Sequence, residues 1–200
     1  VGRFGTTEGI SGVTTGSSIM NLVTFTVSSL TTGVTVIMGQ YLGEKRPERL
    51  GGLVGGATCF FFIISLVLTA VLLIFARPIA ILMQAPESAL DLTVTYIRIC
   101  GAGYVFIVFY NFISSIFRGL GDSRMPLLFV AIACVVNIIG DLVLVAGFHM
   151  NVAGAAIATV LAQAVSVVLS IVIIFRKNLG FTLQKADFRL SGEVTHFLVV

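Results

Sequence analysis

Asp141 carries more chemistry than any other residue in its surroundings. It lies in NIIGDLVLV, within residues 125–148, a run with no other charged side chain, and Asn137 precedes it by one helical turn. A carboxyl group at bilayer depth costs about 2.5–3.5 kcal/mol or more unless it is protonated, paired or bound to an ion, so such a residue marks an ion or proton pathway. Asp141 therefore points to transport.

Other polar residues fall on shared helix faces. Ser17, Asn21, Thr24, Ser28, Thr31 and Thr35 recur every three or four positions, which aligns them in one stripe turned away from lipid. The stripe either forms hydrogen bonds between helices or lines a substrate cavity. Ala155, Thr159, Gln163 and Ser166 share a second face, and spacing alone leaves open whether Thr159 and Gln163 meet Asp141. Asn111, Ser115 and Arg118 share a third face, with Arg118 and Arg98 read as interfacial anchors. His149 and His196 have no ligand-like spacing to another His, Cys or carboxylate. Cys59, Cys100 and Cys134 are odd in number, contain no Cys-x-x-Cys pair and read as core thiols.

These residues need membrane-spanning elements to position them. Hydrophobic residues make up 57% of the chain and charged residues 10%, against about 25% charged in a soluble domain; mean hydropathy is +1.08. Crossing about 30 Å of hydrocarbon takes about 20 helical residues. Uncharged length predicts five spans, at residues 11–38, 53–75, 99–117, 127–148 and 152–175, with a further apolar segment opening at 196–200. The fold class is thus an all-α, polytopic transmembrane helix bundle. Gly12 with Gly16, Gly51 with Gly55 and Gly52 with Gly56 are each one turn apart, the spacing of close helix packing.

Alternate loops differ in charge. Lys45, Arg46, Arg49, Arg118, Arg124, Arg176, Lys177, Lys185 and Arg189 fall on one side, and Arg3, Arg77 and Arg98 on the other, nine of the twelve basic residues against three. The basic side is cytoplasmic by the positive-inside rule, so the first span runs from outside to inside. Topology accounts for the net charge of +3 and leaves no case for a nucleic-acid partner. Opening on Val1, with VGRFGTTEG resembling the outer end of a helix hairpin more than a signal peptide, the chain reads as a fragment. It contains no phosphate loop, H-E-x-x-H or G-x-S-x-G arrangement, so nothing points to an enzyme or a cofactor.

Four blocks occur in order: GQYLGEKRPERL, FRGLGDSRMPLLF at 117–129, VVNIIGD, and VAGAAIATVLAQ. Together they resemble the multidrug and toxic compound extrusion (MATE) family, in its DinF-like branch. The resemblance implies two six-helix lobes around a cleft of alternating access, in a protein of the cytoplasmic membrane. Residues 1–175 would be helices 2 to 6 of the N-terminal lobe, and 176–200 the cytoplasmic linker and the start of the next helix. The missing C-terminal lobe would be this chain's partner, together with the lipid bilayer, a coupling cation and a small organic substrate.

The resemblance also implies an ion site. An Asn and an Asp of the fifth helix match Asn137 and Asp141, and a threonine of the sixth matches Thr159; oxygens of this kind hold either a proton or a hard cation such as Na+. Asn21, Thr24, Ser28 and Gln163 are candidate cavity-lining residues. An aspartate of the first helix, which completes the family's site, has no counterpart here, Glu44 stands where alanine is frequent, and Leu142 stands where proline often follows the aspartate. The resulting expectation is an ion-coupled exporter of drugs or other organic compounds. A lipid-linked precursor flippase of the same superfamily, which would want a more basic cavity, and a non-transporting scaffold subunit are the alternatives.

Overall fold

The structure, a computed structural model, describes residues 6–176. Helix α1 (Thr7–Gly43) starts where the Thr6 hydroxyl accepts a hydrogen bond from the Gly9 N–H at 3.0 Å, satisfying one of the donors a helix start leaves unpaired. It ends as Lys45 turns to φ 57° and the Arg46 N–H reaches back to the Tyr41 carbonyl, a left-handed closure of the helix end. Arg49 sits over the Tyr41 ring, 5.9 Å from its centroid, across the turn into α2 (Glu48–Ile74). Pro78, which has no N–H to extend that ladder, lies in the first turn of the short α3 (Ala76–Leu82), where a missing donor costs nothing.

A 3-10 turn (Glu87–Ala89) leads into α4 (Leu90–Ala102) and α5 (Tyr104–Gly119). Glu87–Ala102 and Tyr104–Gly119 form one span bent by 54° at Gly103. This corrects the predicted third span of 99–117: Tyr96 and Arg98 lie within it, and Arg98 is exposed eight residues into α4 rather than at its edge. The α5–α6 turn is built by FRGLGDSRMP: Gly121 has φ +82°, the Asp122 N–H bonds the Phe117 carbonyl at 2.9 Å, and Asp122 Oδ1 accepts from the Arg124 and Met125 N–H groups. Helix α6 (Arg124–Asp141) continues into a π-helical segment, Leu142–Gly147, and α7 (Asn151–Arg176) returns alongside. With the bent pair taken as one, five helical spans are long and apolar enough to cross a membrane.

Contacts fix the relative directions. Gly12 meets Leu92, Gly16 meets Tyr96, Thr24 Oγ1 meets the Tyr104 hydroxyl at 3.3 Å, Thr35 Oγ1 donates to the Ser115 carbonyl at 3.1 Å, and Gly119 meets Met38. Numbers rise together, so α1 runs parallel to the whole bent span. Helices α6 and α7 are antiparallel: Ser166 Oγ donates to the Phe129 carbonyl at 3.1 Å, and Gly140 packs on Ala158. Lys45, Arg46, Arg49, Arg118, Arg124 and Arg176 consequently gather at one end of the bundle and Arg77 at the other. Arg3, Lys177, Lys185, Arg189, His196, the predicted linker and the 196–200 segment lie outside the described residues.

Lipid offers apolar helices no gain from mutual burial, so close approach and dispersion hold such bundles together. A Cβ built on Gly16 would lie 2.5 Å from Tyr96 Cδ1; the absent side chain is what lets the α4 ring dock on α1. Gly51, Gly55 and Gly56 are buried, while Gly52 is exposed and a methyl group added to it would have nothing within 4 Å, so Gly52 takes no part in a close helix approach. Phe61, Phe112, Tyr104 and Leu72 fill the core of α1, α2, α4 and α5, and Phe117 and Phe129 stack edge to face at 5.5 Å between α5 and α6. Phe25, Leu82, Leu127 and Phe148 point outward.

Candidate functional site

Asn137 and Thr159 meet directly. Asn137 Nδ2 donates to Thr159 Oγ1 at 3.4 Å, and Thr159 Oγ1 donates to the Ala155 carbonyl of its own helix at 2.9 Å. Asp141 lies one turn along α6, next to the Gly140–Ala158 contact. Its Oδ1 is buried with no hydrogen-bond partner among the described residues. A buried acceptor without a donor carries an uncompensated desolvation cost, which a proton on the carboxyl or a bound cation removes.

Two clefts adjoin this pair. The first, about 210 Å³, is lined by Ser17, Asn21 and Thr24 of α1, Tyr96 and Cys100 of α4, Tyr110 and Asn111 of α5, and Thr159 and Gln163 of α7. The second, about 200 Å³, lies between α5, α6 and α7 and is lined by Tyr110, Cys134, Asn137, Thr159 and Gln163 among others. Thr159, Gln163 and Tyr110 belong to both. Gln163 Oε1 is buried and unpartnered among the described residues, so it offers a carbonyl acceptor to whatever enters.

Ser28 is not among the lining residues. It donates to Asn111 Oδ1 at 2.9 Å, and Asn111 Nδ2 donates to the Ile107 carbonyl at 2.8 Å, so Ser28 holds a cleft residue in place instead of facing the cleft. Asn111 and Ser115 face α1, and Arg118, further along the same helix side, is exposed in the last turn of α5. Cys100 is buried and Cys59 half-buried, but Cys134 is exposed where it lines the second cleft and is not a core thiol.

Tyr96 is the main residue that sequence reasoning missed. Its ring fills the notch at Gly16, and its hydroxyl interacts with Thr159 and the Cys100 thiol, which extends the Asn137–Thr159 pair to α4. The signal was the Gly12/Gly16 notch, which foretells a bulky partner without naming it. Asn137, Thr159 and Gln163 come together at the second cleft, whereas Asp141, one turn further along α6, lines neither cleft; oxygens of these kinds suit a proton or a hard cation. No group of three His, Cys, Asp or Glu side chains converges among the described residues.

Known proteins are similar to this chain in sequence and in fold. The MatE family model matches residues 1–143. The chain is 34% identical over 149 residues to "Probable multidrug resistance protein YpnP" of Bacillus subtilis (strain 168), covering 74% of this chain and 31% of that protein. To the "FAD transporter" of Shewanella oneidensis it is 28% identical, covering 74% of this chain and 34% of that protein. The chain thus spans about a third of the length of these curated relatives. The solved inward-facing conformation of a multidrug resistance MATE family transporter of the MOP superfamily superposes with a TM-score of 0.89 at 23% identity, over 96% of this chain and 44% of that one. An apolar five-span bundle, a carboxylate inside it, and a family match across most of its length lead to one assignment: the chain is a multi-pass membrane protein of the MatE, or multidrug and toxic compound extrusion, family.

Proposed function

We propose that this chain is the N-terminal-lobe part of an ion-coupled antiporter that exports drugs or other organic compounds across the cytoplasmic membrane. The observation that carries the reading is the unpartnered Asp141 oxygen beside the Asn137–Thr159 hydrogen bond. Protonation and cation binding compete for that one carboxylate. Either occupancy drives transport if occupied and empty forms prefer different helix arrangements, because a ligand shifts an equilibrium only through differential affinity. The coupling ion is H+ or Na+, and the two clefts that share Thr159 and Gln163 give an organic substrate a place next to it.

Two observations weigh against the alternatives. No Lys or Arg lines either cleft, which disfavours a flippase for an anionic lipid-linked precursor. The described salt bridges, Arg46–Glu44 and Arg77–Asp91, are exposed and leave Asp141 untouched, so among the described residues no lysine or arginine is locked to Asp141 as a scaffold role would require. Among relatives, one bears the name of a multidrug resistance protein and another that of an FAD transporter, so the exported compound is an open choice within the reading. The test is Asp141→Asn in the complete protein, which preserves size and removes titration. Ion-driven export is expected to be abolished while membrane expression persists; export with unchanged dependence on pH and Na+ refutes the proposal.

A further inference from the structure

Three helices converge on the bend of the third span. Gly101 receives Leu72 of α2, whose Cβ lies 2.9 Å from where a Gly101 Cβ would be. Tyr104, the first residue past the bend, meets Thr24 of α1. Gly103 itself is buried, and the space a side chain would need is filled by Val160 of α7: both methyls overlap a Cβ built there, and the Val160 Cβ is 3.0 Å away. Val160 follows Thr159 in the chain. The same side of α4 also touches α7 through Cys100, whose Sγ is 4.0 Å from the Ala156 carbonyl, and through Tyr96 on Thr159.

We infer that Gly103 and Val160 are positioning residues of the ion site: the Val160 knob, seated in the bend of α4–α5, ties the angle of that span to the placement of Thr159 against Asn137. The inference rests on the reading of Asn137, Asp141 and Thr159 as the coupling site. Its physical basis is geometric. Val160 fits only because the span bends at a residue without a side chain, and packed interiors move between discrete arrangements instead of deforming smoothly. Straightening the span closes the notch, pushes Val160 outward and carries Thr159 with it along a rigid helix. By reciprocity, an ion that fixes Thr159 against Asn137 and Asp141 favours the bent span.

The bend has a measurable length. Between exposed Glu87 and Arg118, 31 residues apart, a straight helix spans ~46 Å at 1.5 Å per residue, and two segments bent by 54° span ~41 Å. Spin labels at these two positions in the complete protein, with the accessible native cysteines replaced, read that difference. The expected result is a shorter distance at saturating Na+ or proton concentration than at low concentration, lost in Asp141→Asn. Gly103→Ala is expected to lengthen the distance and raise the half-saturating ion concentration for export by about tenfold. Adding Val160→Ala, which leaves only the Cβ at 3.0 Å to yield, is expected to restore it to within about twofold. If Gly103→Ala does not reach the membrane, Val160→Ala alone is expected to broaden the distance distribution and shift the ion dependence. Ion-dependent export that requires Asp141, together with a distance and half-saturation unmoved by these variants, overturns this inference alone. Export whose ion dependence survives Asp141→Asn overturns the site reading beneath it.

Discussion

Replacing Thr159 by valine separates packing from ion coupling, because the structure gives the two roles very different magnitudes. In packing, the change removes the interhelical hydrogen bond from Asn137 Nδ2 to Thr159 Oγ1 at 3.4 Å, the contact of the Tyr96 hydroxyl with Thr159, and one local bond to the Ala155 carbonyl. Interhelical bonds in membranes average about 0.6 kcal/mol, with about 1.7 kcal/mol near the maximum, and 3.4 Å lies beyond the usual 2.7–3.2 Å range for N–H donors. The structural loss is therefore about 1 kcal/mol, a shift of no more than about 4 °C in Tm. In coupling, the hydroxyl oxygen is a ligand to a charged group, and such a contact contributes about 1.5–3 kcal/mol. At 1.4 kcal/mol per decade, the half-saturating ion concentration for export rises about 10–150-fold. Thr159→Ser keeps the oxygen and is expected to stay near wild type. The assay is substrate export from proteoliposomes over a range of Na+ concentration and pH, beside thermal unfolding of the purified complete protein. A Thr159→Val protein that folds, exports and shows an unmoved half-saturation refutes the assignment of Thr159 to the site.

Other expectations concern the scaffold. Gly121 has φ +82° with open space around it, so Gly121→Ala is expected to cost about 1–2 kcal/mol from backbone conformation alone; a neutral result in unfolding would show that the turn relaxes. Gly16→Val drives a side chain into the Tyr96 ring and is expected to cost about 1–3 kcal/mol, whereas Gly39→Ala, with nothing within 4 Å, is expected to be neutral or to gain up to about 1 kcal/mol. Equal losses of folded yield at the two glycines would remove the case for the α1–α4 notch. Cysteines placed at Lys45 and Arg124 are expected to resist an impermeant reagent applied to intact cells, and one at Glu87 to react; the opposite pattern inverts the topology.

Uncharged length was enough to read four of the five spans, because each of their helices contains by itself a stretch long and apolar enough to cross a membrane. It failed on the third, where Asp91 and Arg98 interrupt the apolar run. Both are exposed, while Thr93, Val94, Tyr96 and Ile97 between them are packed. A span can carry charge on one edge and pack on the other, and a window that averages all residues does not see the difference. At the site, the four-residue interval fixed Asn137 and Asp141 on one face without any structure. Thr159 came from family resemblance, since nothing in α7 alone says which helix it faces, and Tyr96 depends on a contact 80 positions distant from its partner Gly16. The α1 stripe divides by depth: Ser17, Asn21 and Thr24 line a cleft, while Ser28 and Thr35 bond to α5. Periodicity set out both roles, and only the position of α5 assigns them.

The leucine after Asp141 shows how a departure in sequence can keep a physical property. A proline there would remove an N–H from the helix ladder and bend it. Leu142 retains that N–H, which bonds the Ile138 and Ile139 carbonyls, and the ladder widens instead: residues 142–147 are π-helical, and the Phe148 N–H reaches back five residues to Val143. Neighbours on α7 accommodate the wider turn, with the Leu144 backbone carbonyl carbon 3.1 Å from the position a Gly154 Cβ would take. His149 and Asn151, both at positive φ, then reverse the chain. The helix is thus irregular on the C-terminal side of the carboxylate by widening where proline would have done it by deleting a donor. π-Helical turns inside α-helices occur frequently at functional sites. Leu142 is therefore compatible with the proposal that Asp141 is the coupling residue, since the helix beside the carboxylate is irregular without proline.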